Sequence, residues 1–166
     1  MNAKLWYAVY TRSRHEKNAA MLLARRNIKH YLPLLEISSR WKDRTKIVEK
    51  PLFPGYLFVH IAKNERSEVL QVKGVVDLLF NRKEGPAIVP DRDIINIRNL
   101  LKSGLRVDPC PFLKAGQLVR IKKGPLKDVE GIFVRKLKRR YLVVSVDVLG
   151  QSVSVEMPAD NVSAVG

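Results

Sequence analysis

The sequence lacks the features that membrane, disulfide-linked and metal-binding proteins require. Its 166 residues include one cysteine, Cys110, so no internal disulfide and no multi-thiolate metal site can form. No run approaches the roughly 18 apolar residues of a membrane span, and the opening residues MNAKLWYAVY lack a signal-peptide pattern. We therefore expect a soluble, cytoplasmic protein that carries no metal or other cofactor and makes no contact with a membrane.

Catalytic constellations are also missing from the sequence. His15, His30 and His60 lie on different predicted elements, and none has a serine and an aspartate at a usable spacing. The glycines fall in turns without the spacing of a phosphate-binding loop. The pattern therefore favours a binding protein over an enzyme, and no catalytic residue is expected.

Acidic residues are scarce relative to basic ones. The chain has 31 Lys and Arg against 16 Asp and Glu, a formal net charge of +15. Residues 1–104 hold 20 basic and 10 acidic side chains, and residues 105–166 hold 11 and 6, so the excess is spread over both parts. Long-range attraction then favours nucleic acid, a ribonucleoprotein or another anionic surface as partner.

The first hundred residues alternate strand and helix patterns. The run WYAVY predicts a strand, and the spacing of Ser13 and Glu16 is a capping-box pattern that predicts a helix starting at Ser13 and stopping at Asn27. HYLPLLEI predicts a second strand, in which Pro33 indicates an edge position or a bulge. A short helix over 65–72, the strand VVDLLF and a helix from Asp91 follow. The buried face of the last helix is predicted to consist of Ile94, Ile95, Ile97 and Leu101.

Between these elements lies a basic segment, SSRWKDRTKIVEK. Arg40, Lys42, Arg44 and Lys46 occupy alternate positions, with Trp41 among them. Because alternate residues of a strand share a face, the segment predicts a hairpin arm or long loop with one basic side.

The stretch KPLFPGYLFVHI, residues 50–61, predicts a strand that is apolar on both sides. Leu57, Val59 and Ile61 would share one face. Tyr56 and Phe58 would share the other with His60, to which no role is assigned. We expect the aliphatic face to enter the core and the aromatic face to be covered by something else.

These patterns predict two domains. Residues 1–102 suit an α+β domain, an antiparallel sheet with helices on one face, and Gly104, Pro109 and Pro111 mark a linker over residues 103–113. Residues 114–166 hold several short strand patterns without a helical stripe, which predicts a small SH3-like β-barrel. Leu142, Val144, Val146 and Val148 are assigned to one of its faces, and Val153, Val155 and Met157 to another.

The ordered motifs resemble the NusG family of transcription elongation factors, and especially its specialised paralogues of RfaH and UpxY type. The resemblance covers essentially the whole chain. It rests on Trp6-Tyr7, on Tyr31-Leu32-Pro33, on PLFPGYLFV at 51–59, on GPAIVP at 85–90, and on the KOW-like residues Gly116, Val119, Gly124, Pro125, Leu126, Asp128 and Gly131.

The resemblance implies an NGN-like domain that binds the clamp helices of bacterial RNA polymerase and suppresses pausing or termination, with the protein acting as a monomer. The residues that match the family's hydrophobic docking patch are Tyr10, Phe53, Tyr56 and Phe58. The positions that match contacts with non-template DNA are Arg12, Arg14 and Lys73.

Two further basic groups are assigned to nucleic acid from their charge. Arg40, Lys42 and Arg44 lie in the arm, and Lys138, Arg139 and Arg140 follow Lys136 in the run KLKRR, a candidate contact with nascent RNA. The resemblance leaves open whether the KOW domain also binds a ribosomal protein or the termination factor Rho. The alternative is a general RNA-binding or ribosome-associated KOW protein.

Overall fold

The computed structural model describes residues 3–165, and the chain divides into two compact units, Met1–Pro90 and Asp91–Gly166. The helix that begins at Asp91 is therefore grouped with the second unit, whereas the sequence assigns it to an N-terminal domain of residues 1–102. The domain boundaries drawn from the sequence stay a prediction. No helix among the described residues is long and apolar enough to cross a bilayer.

The first unit is an α+β fold built on an antiparallel sheet. Its elements in chain order are β1 Leu5–Thr11, α1 Glu16–Arg25, β2 His30–Tyr31, β3 Leu34–Trp41, β4 Arg44–Pro51, β5 Tyr56–Ile61, a 3₁₀ turn Lys63–Glu65, α2 Arg66–Leu70, β6 Val75–Leu78, β7 Phe80–Asn81, β8 Gly85–Pro86 and β9 Ile88–Val89. The main sheet has the order β2-β5-β1-β6, and β9 also pairs with β1. β3 pairs with β4, and β7 with β8, as separate hairpins.

One face of this sheet forms the core with α1 and α2. Leu57, Val59 and Ile61 of β5 are at most 1% exposed and pack in one cluster with α1 residues such as Leu23 and the α2 residue Val69. The expectation that the aliphatic side of residues 57–61 enters the core is confirmed.

The start of α1 differs from the sequence prediction. The helix begins at Glu16, and no side chain caps it, so the predicted Ser13 capping box is wrong. Arg14 has a φ of +64°, outside the helical region, and this turns the chain before the helix can start. Asn27 has a φ of +57°, so the predicted left-handed stop is confirmed.

Pro33 interrupts the second predicted strand rather than lying within it. β2 ends at Tyr31 and β3 begins at Leu34, so HYLPLLEI supplies strands to two different sheets. The base of the β3–β4 hairpin is closed by the Leu52 N–H, which donates to the Pro33 carbonyl at 2.9 Å. Pro33 therefore ends one ladder while its carbonyl still holds the neck of the next hairpin.

The second unit is all-β apart from its first helix and a 3₁₀ turn, within the described residues. Its elements are α3 Asp91–Lys102, β10 Val107–Cys110, β11 Gln117–Ile121, β12 Glu130–Lys136, β13 Arg139–Val146, β14 Gln151–Glu156, a 3₁₀ turn Ala159–Asn161 and β15 Val162–Ala164. The antiparallel strand order is β10-β14-β13-β12-β11-β15. β10 therefore lies inside the segment predicted as linker. The predicted fold class, α+β followed by a small β-barrel, is confirmed.

Burial within the second unit follows the predicted alternation in the barrel better than in α3. Val153, Val155 and Met157 are all buried, as predicted, and so are Leu142, Val144 and Val146. β13 ends at Val146, so Val148 lies in the following turn, and the prediction that it shares this strand face is wrong. In α3, Ile95 is 52% exposed and Leu100 is fully buried, so the predicted apolar face is partly wrong. Because successive residues are rotated by 100° around a helix, Ile95 is turned well away from Ile97 and Leu100, which lie on the buried side of α3.

Gly131 in β12 is a position of the barrel where a larger residue does not fit. A Cβ added there would lie 2.6 Å from the backbone oxygen of Val143 and 2.9 Å from Leu142 Cδ1. The backbone oxygen cannot move without breaking the pairing of β12 with β13. This glycine therefore allows the two central strands to approach closely.

Candidate functional site

The face of the first sheet opposite the helices is lined by aromatic rings. The β1–β5 register pairs Trp6 with His60, Ala8 with Phe58 and Tyr10 with Tyr56. The β2–β5 register adds Tyr31 opposite Phe58. We call this set the aromatic face; its members are Trp6, Tyr10, Tyr31, Phe53, Tyr56, Phe58 and His60.

Neighbouring rings of the aromatic face contact one another along the strands. The centroid distances are 5.0 Å for Trp6–His60, 5.5 Å for Tyr10–Tyr56, 6.5 Å for the stacked pair Tyr31–Phe58 and 6.4 Å for the edge-on pair Phe53–Phe58. Cross-strand aromatic pairs of this kind stabilise a sheet and fix its register. The face is therefore a rigid surface before any partner binds.

Exposure differs along the aromatic face. Phe53 and Phe58 are 1% and 0% exposed, whereas Tyr10 is 44% exposed and Tyr56 is half-buried. The proposed docking residues thus divide into two accessible tyrosines and two phenylalanines beneath the surface. Direct contact with a partner is available to Tyr10 and Tyr56, and Phe58 and Phe53 support them from within.

Three predicted DNA-contact residues lie beside the exposed end of the aromatic face. Arg12 and Arg14 follow β1 two and four residues after Tyr10, and both are exposed, as is Lys73. The Arg12 N–H donates to the Gly74 carbonyl at 2.8 Å, which brings the two basic loops together. The structure thus gathers Arg12, Arg14 and Lys73, and we call them the basic loops.

The β3–β4 hairpin carries the arm residues, but its geometry differs from the prediction of one basic side. Trp41 pairs with Arg44, whereas Arg40 pairs with Thr45, so Arg40 and Arg44 lie on opposite faces of the ribbon. Lys42 lies in the turn, with a φ of +47°. The prediction of one basic side is wrong because a two-residue turn shifts the alternation between the strands.

The β12–β13 hairpin concentrates positive charge at its tip. Arg135 pairs with Arg140 and Lys136 with Arg139, while Leu137 and Lys138 form the turn. Like charges directly opposite each other on an antiparallel pair repel. One ion pair, Arg139 with Glu156 at 3.8 Å, offsets this only in part. The tip therefore suits a polyanion.

Sequence reasoning missed Trp6 and Tyr31 as members of the aromatic face, and it placed His60 there without assigning it a role. Trp6 and Tyr10 are both even-numbered residues of one strand, so alternation in WYAVY could have placed them together. His60 could have been paired with Trp6 only once the register was known. Tyr31 lies in a two-residue strand, which gives no periodic signal.

Few titratable groups within residues 3–165 have clearly shifted pKa values. Within residues 3–165, no group of three or more His, Cys, Asp or Glu side chains is arranged to hold a metal ion. Burial raises the pKa of the Cys110 thiol, although a hydrogen bond with Ser154 lowers it. A raised pKa favours the thiol over the nucleophilic thiolate. Burial, assisted by Asp147, also raises the pKa of Asp93 to about 6, against a lowering by Arg92.

The molecule is thus an α+β unit, which carries a partly exposed pair of tyrosines beside basic loops, followed by a small β-barrel with a basic tip. A family model described as transcription termination factor NusG matches residues 4–98, which is more than half of the chain. The chain belongs to the NusG family.

NusG proteins from several bacteria are distant from this chain in sequence, but the similarity extends over almost its whole length. The transcription termination/antitermination protein NusG of Yersinia pestis is 28% identical, over 93% of this chain and 92% of its own. The NusG protein of Pseudomonas aeruginosa is 27% identical, over 98% and 99%. A solved structure of Thermotoga maritima NusG matches with a TM-score of 0.55 at 23% identity, over 98% of each chain, which supports the fold.

Proposed function

We propose that this protein is a transcription elongation and antitermination factor that binds the clamp helices of bacterial RNA polymerase and suppresses pausing or termination. It acts in the cytoplasm as a monomer and is a specialised paralogue of RfaH or UpxY type. Membership of the NusG family and the names of its relatives support the role in transcription. Polymerase docking, the clamp helices and the individual contacts are our inference from the surfaces.

The observation that carries this proposal is the Tyr10–Tyr56 pair. Its rings are 5.5 Å apart, and Tyr10, 44% exposed, is the most accessible ring of a face whose Trp6, Phe53 and Phe58 are buried. Covering their exposed parts would remove roughly 150–200 Å² from water, a gross gain of about 4 kcal/mol at 25 cal/mol per Å². Because the rings are already fixed by their neighbours, little side-chain entropy is lost on docking.

The basic loops support a second contact that works together with docking. Arg12 lies two residues after Tyr10, and the Thr11 N–H between them donates to the Gly55 carbonyl at 2.8 Å. A partner bound on Tyr10 and Tyr56 would thus bring any exposed non-template strand close to Arg12, Arg14 and Lys73. Contacts of these side chains with phosphates would add affinity without selecting sequence.

The basic arm and the barrel tip extend the nucleic-acid surface. Arg40, Lys42 and Arg44 on the arm are exposed, and we assign them to nucleic acid near the docked protein. Lys138, Arg139 and Arg140 at the barrel tip are assigned to nascent RNA. The second unit is also the proposed site for a ribosomal protein or Rho.

The docking proposal is tested with a purified clamp-helix fragment and with whole polymerase. Tyr10→Ala with Tyr56→Ala should lower capture by both at least about 30-fold, since two partly exposed rings are lost, while the circular dichroism spectrum is retained. Trp41→Ala is the matched control, because Trp41 is 66% exposed and lies outside the aromatic face. Undiminished capture by the double variant would remove the aromatic face from the proposal.

A general RNA-binding or ribosome-associated role is the second candidate. The cross-strand cations at the tip of β12–β13 favour it. It predicts capture of RNA or ribosomes with no capture of the clamp-helix fragment. The aromatic face has no part in that role, so the double tyrosine variant would then bind RNA as well as the unaltered protein.

A further inference from the structure

The first unit contains a cavity on the helix side of its sheet, away from the aromatic face. Its volume is about 220 Å³, and its lining residues are Tyr7, Ile61, Lys63, Arg66, Leu78 and Pro86. Ile61 and Leu78 are at most 3% exposed and form an apolar floor, whereas Lys63 on the rim is exposed. An apolar floor beneath two cations suits a ligand with an apolar body and an acidic end.

Two polar groups of the cavity lining are buried without a hydrogen-bond partner. Tyr7 is 2% exposed, and its hydroxyl is unpaired. The Nε of Arg66 is unpaired as well. Leaving a buried polar group unsatisfied is costly, and such groups are rare in native proteins. Both groups have already lost contact with water, so a ligand acceptor that displaces the atoms covering either group gains a hydrogen bond, and the protein group pays no further desolvation cost.

The guanidinium of Arg66 is held in place from the other side. Its Nη2 donates to Asp77 Oδ1 at 3.2 Å, and its Cζ lies 5.9 Å from the centroid of the Phe80 ring. Asp77 Oδ1 is itself fixed by the Leu78 N–H at 2.8 Å. The Arg66 side chain is therefore oriented by other contacts while its Nε has no partner. An oriented guanidinium is well suited to bind a carboxylate.

We propose that this cavity binds a small aromatic or branched carboxylic acid. The apolar body lies on Ile61 and Leu78, and the carboxylate accepts hydrogen bonds from Arg66 and the Tyr7 hydroxyl, with Lys63 adding charge at the rim. Because a cavity of about 150 Å³ holds a benzene ring, one of about 220 Å³ has room for a ring and a carboxylate.

The proposed site is separate from the docking surface. Successive residues of β1 point to opposite faces, so Tyr7 lines the cavity side while Trp6 and Tyr10 belong to the aromatic face. Small-acid binding and polymerase docking can therefore be tested independently.

The test titrates the full-length, isotope-labelled protein with phenylacetate, and with the neutral analogue 2-phenylethanol, by NMR. We expect saturable shifts at Tyr7, Ile61 and Leu78 with phenylacetate, with a dissociation constant of about 1 mM or lower, as its size allows. The alcohol should bind at least about tenfold more weakly, because it cannot form the charge-assisted bond to Arg66. Equal binding of both, or no shift at these residues, would refute the proposal.

Two variants and a control assign the contacts. Arg66→Gln should weaken phenylacetate binding at least about tenfold, whereas Arg25→Gln, an exposed arginine on α1, should not. Tyr7→Phe removes the unpaired hydroxyl, so it should weaken binding and leave the melting temperature unchanged or higher. Arg66→Gln should still be captured by the clamp-helix fragment. Retention of phenylacetate affinity in both cavity variants would show that the acid binds elsewhere.

Discussion

The two faces of the β1–β5 strand pair share one backbone but differ in how deeply their side chains are buried. On the helix side, Leu57 and Val59 pack beneath α1 and α2. On the other side, Phe58 is equally buried, yet the rings become accessible toward Tyr10 and Tyr56. Burial on the helix side of β5 is complete, whereas burial on the aromatic face ranges from the fully buried Phe58, through the half-buried His60 and Tyr56, to the exposed Tyr10. A strand of six residues thus serves both a core and a graded surface.

The gradient on the aromatic face separates stability from binding. Residues at its buried end have lost their water contact already, so their substitution acts on folding. Residues at its exposed end lose water only when a partner arrives, so their substitution acts on affinity. Each prediction below tests one point on that gradient or the rule behind it.

The largest expected effect is on folding, from the buried centre of β5. Leu57→Ala should lower the free energy of unfolding by about 2–5 kcal/mol, and Phe58→Ala by about 3–5 kcal/mol, because both side chains are fully buried. Urea unfolding followed by circular dichroism measures both. Tyr56→Ala is the matched control, with a smaller loss expected. A loss below about 1 kcal/mol for Phe58→Ala would mean that the buried end of the aromatic face does not stabilise the fold.

The sequence predicts the position of a side chain correctly where neighbouring residues of the same strand determine it. Alternation placed Leu57 and Ile61 correctly, because the period of a strand is a local property. The depth of Phe58 depends on Tyr31 and Phe53, which arrive from other parts of the chain. The opposite faces of Arg40 and Arg44 depend on a turn whose length fixes the register. Predictions fail where a second segment decides the outcome.

A smaller effect is expected at Gly55, beside the exposed end of the aromatic face. Its φ is +87°, and a Cβ there would lie 3.6 Å from Tyr10 Cε2, so the space is adequate but the backbone is strained for alanine. Gly55→Ala should therefore cost about 1–2 kcal/mol of stability. The free energy of unfolding and the capture by the clamp-helix fragment are both measured on the Gly55→Ala variant. Gly150→Ala, also at positive φ but in the second unit, is the control, and it should lose stability while keeping full capture.

The basic loops should show a contribution that depends on salt, unlike that of the tyrosines. Arg12→Ala with Arg14→Ala should reduce the slope of log affinity against log salt by about 2 for a polymerase complex with exposed non-template DNA, if each side chain contacts one phosphate. Binding to the clamp-helix fragment should not change. Arg25→Ala with Arg26→Ala, at the far end of α1, provides the control for charge. An unchanged slope would remove Arg12 and Arg14 from the nucleic-acid surface.

The smallest expected effect is on the stability of the second unit and arises from the partly buried carboxyl group of Asp93. Burial opposes ionisation of a carboxyl group, and varying the pH tests this rule. The pKa of Asp93 is raised to about 6 from 3.8, by burial first and then by Asp147, so the folded state favours the protonated form. The stability that results is fully present below about pH 4 and is lost as the pH rises through 6.

Because Asp93 remains partly accessible, we expect screening to limit the loss to about 1 kcal/mol. Asp93→Asn should therefore stabilise the second unit at pH 7.5 and have little effect at pH 4, as measured by urea unfolding followed through the NMR signals of β13. Asp91→Asn is the matched control, since it removes an exposed carboxylate from the same first turn of α3. If both variants behave alike at both pH values, burial of Asp93 has no influence on the stability of this unit.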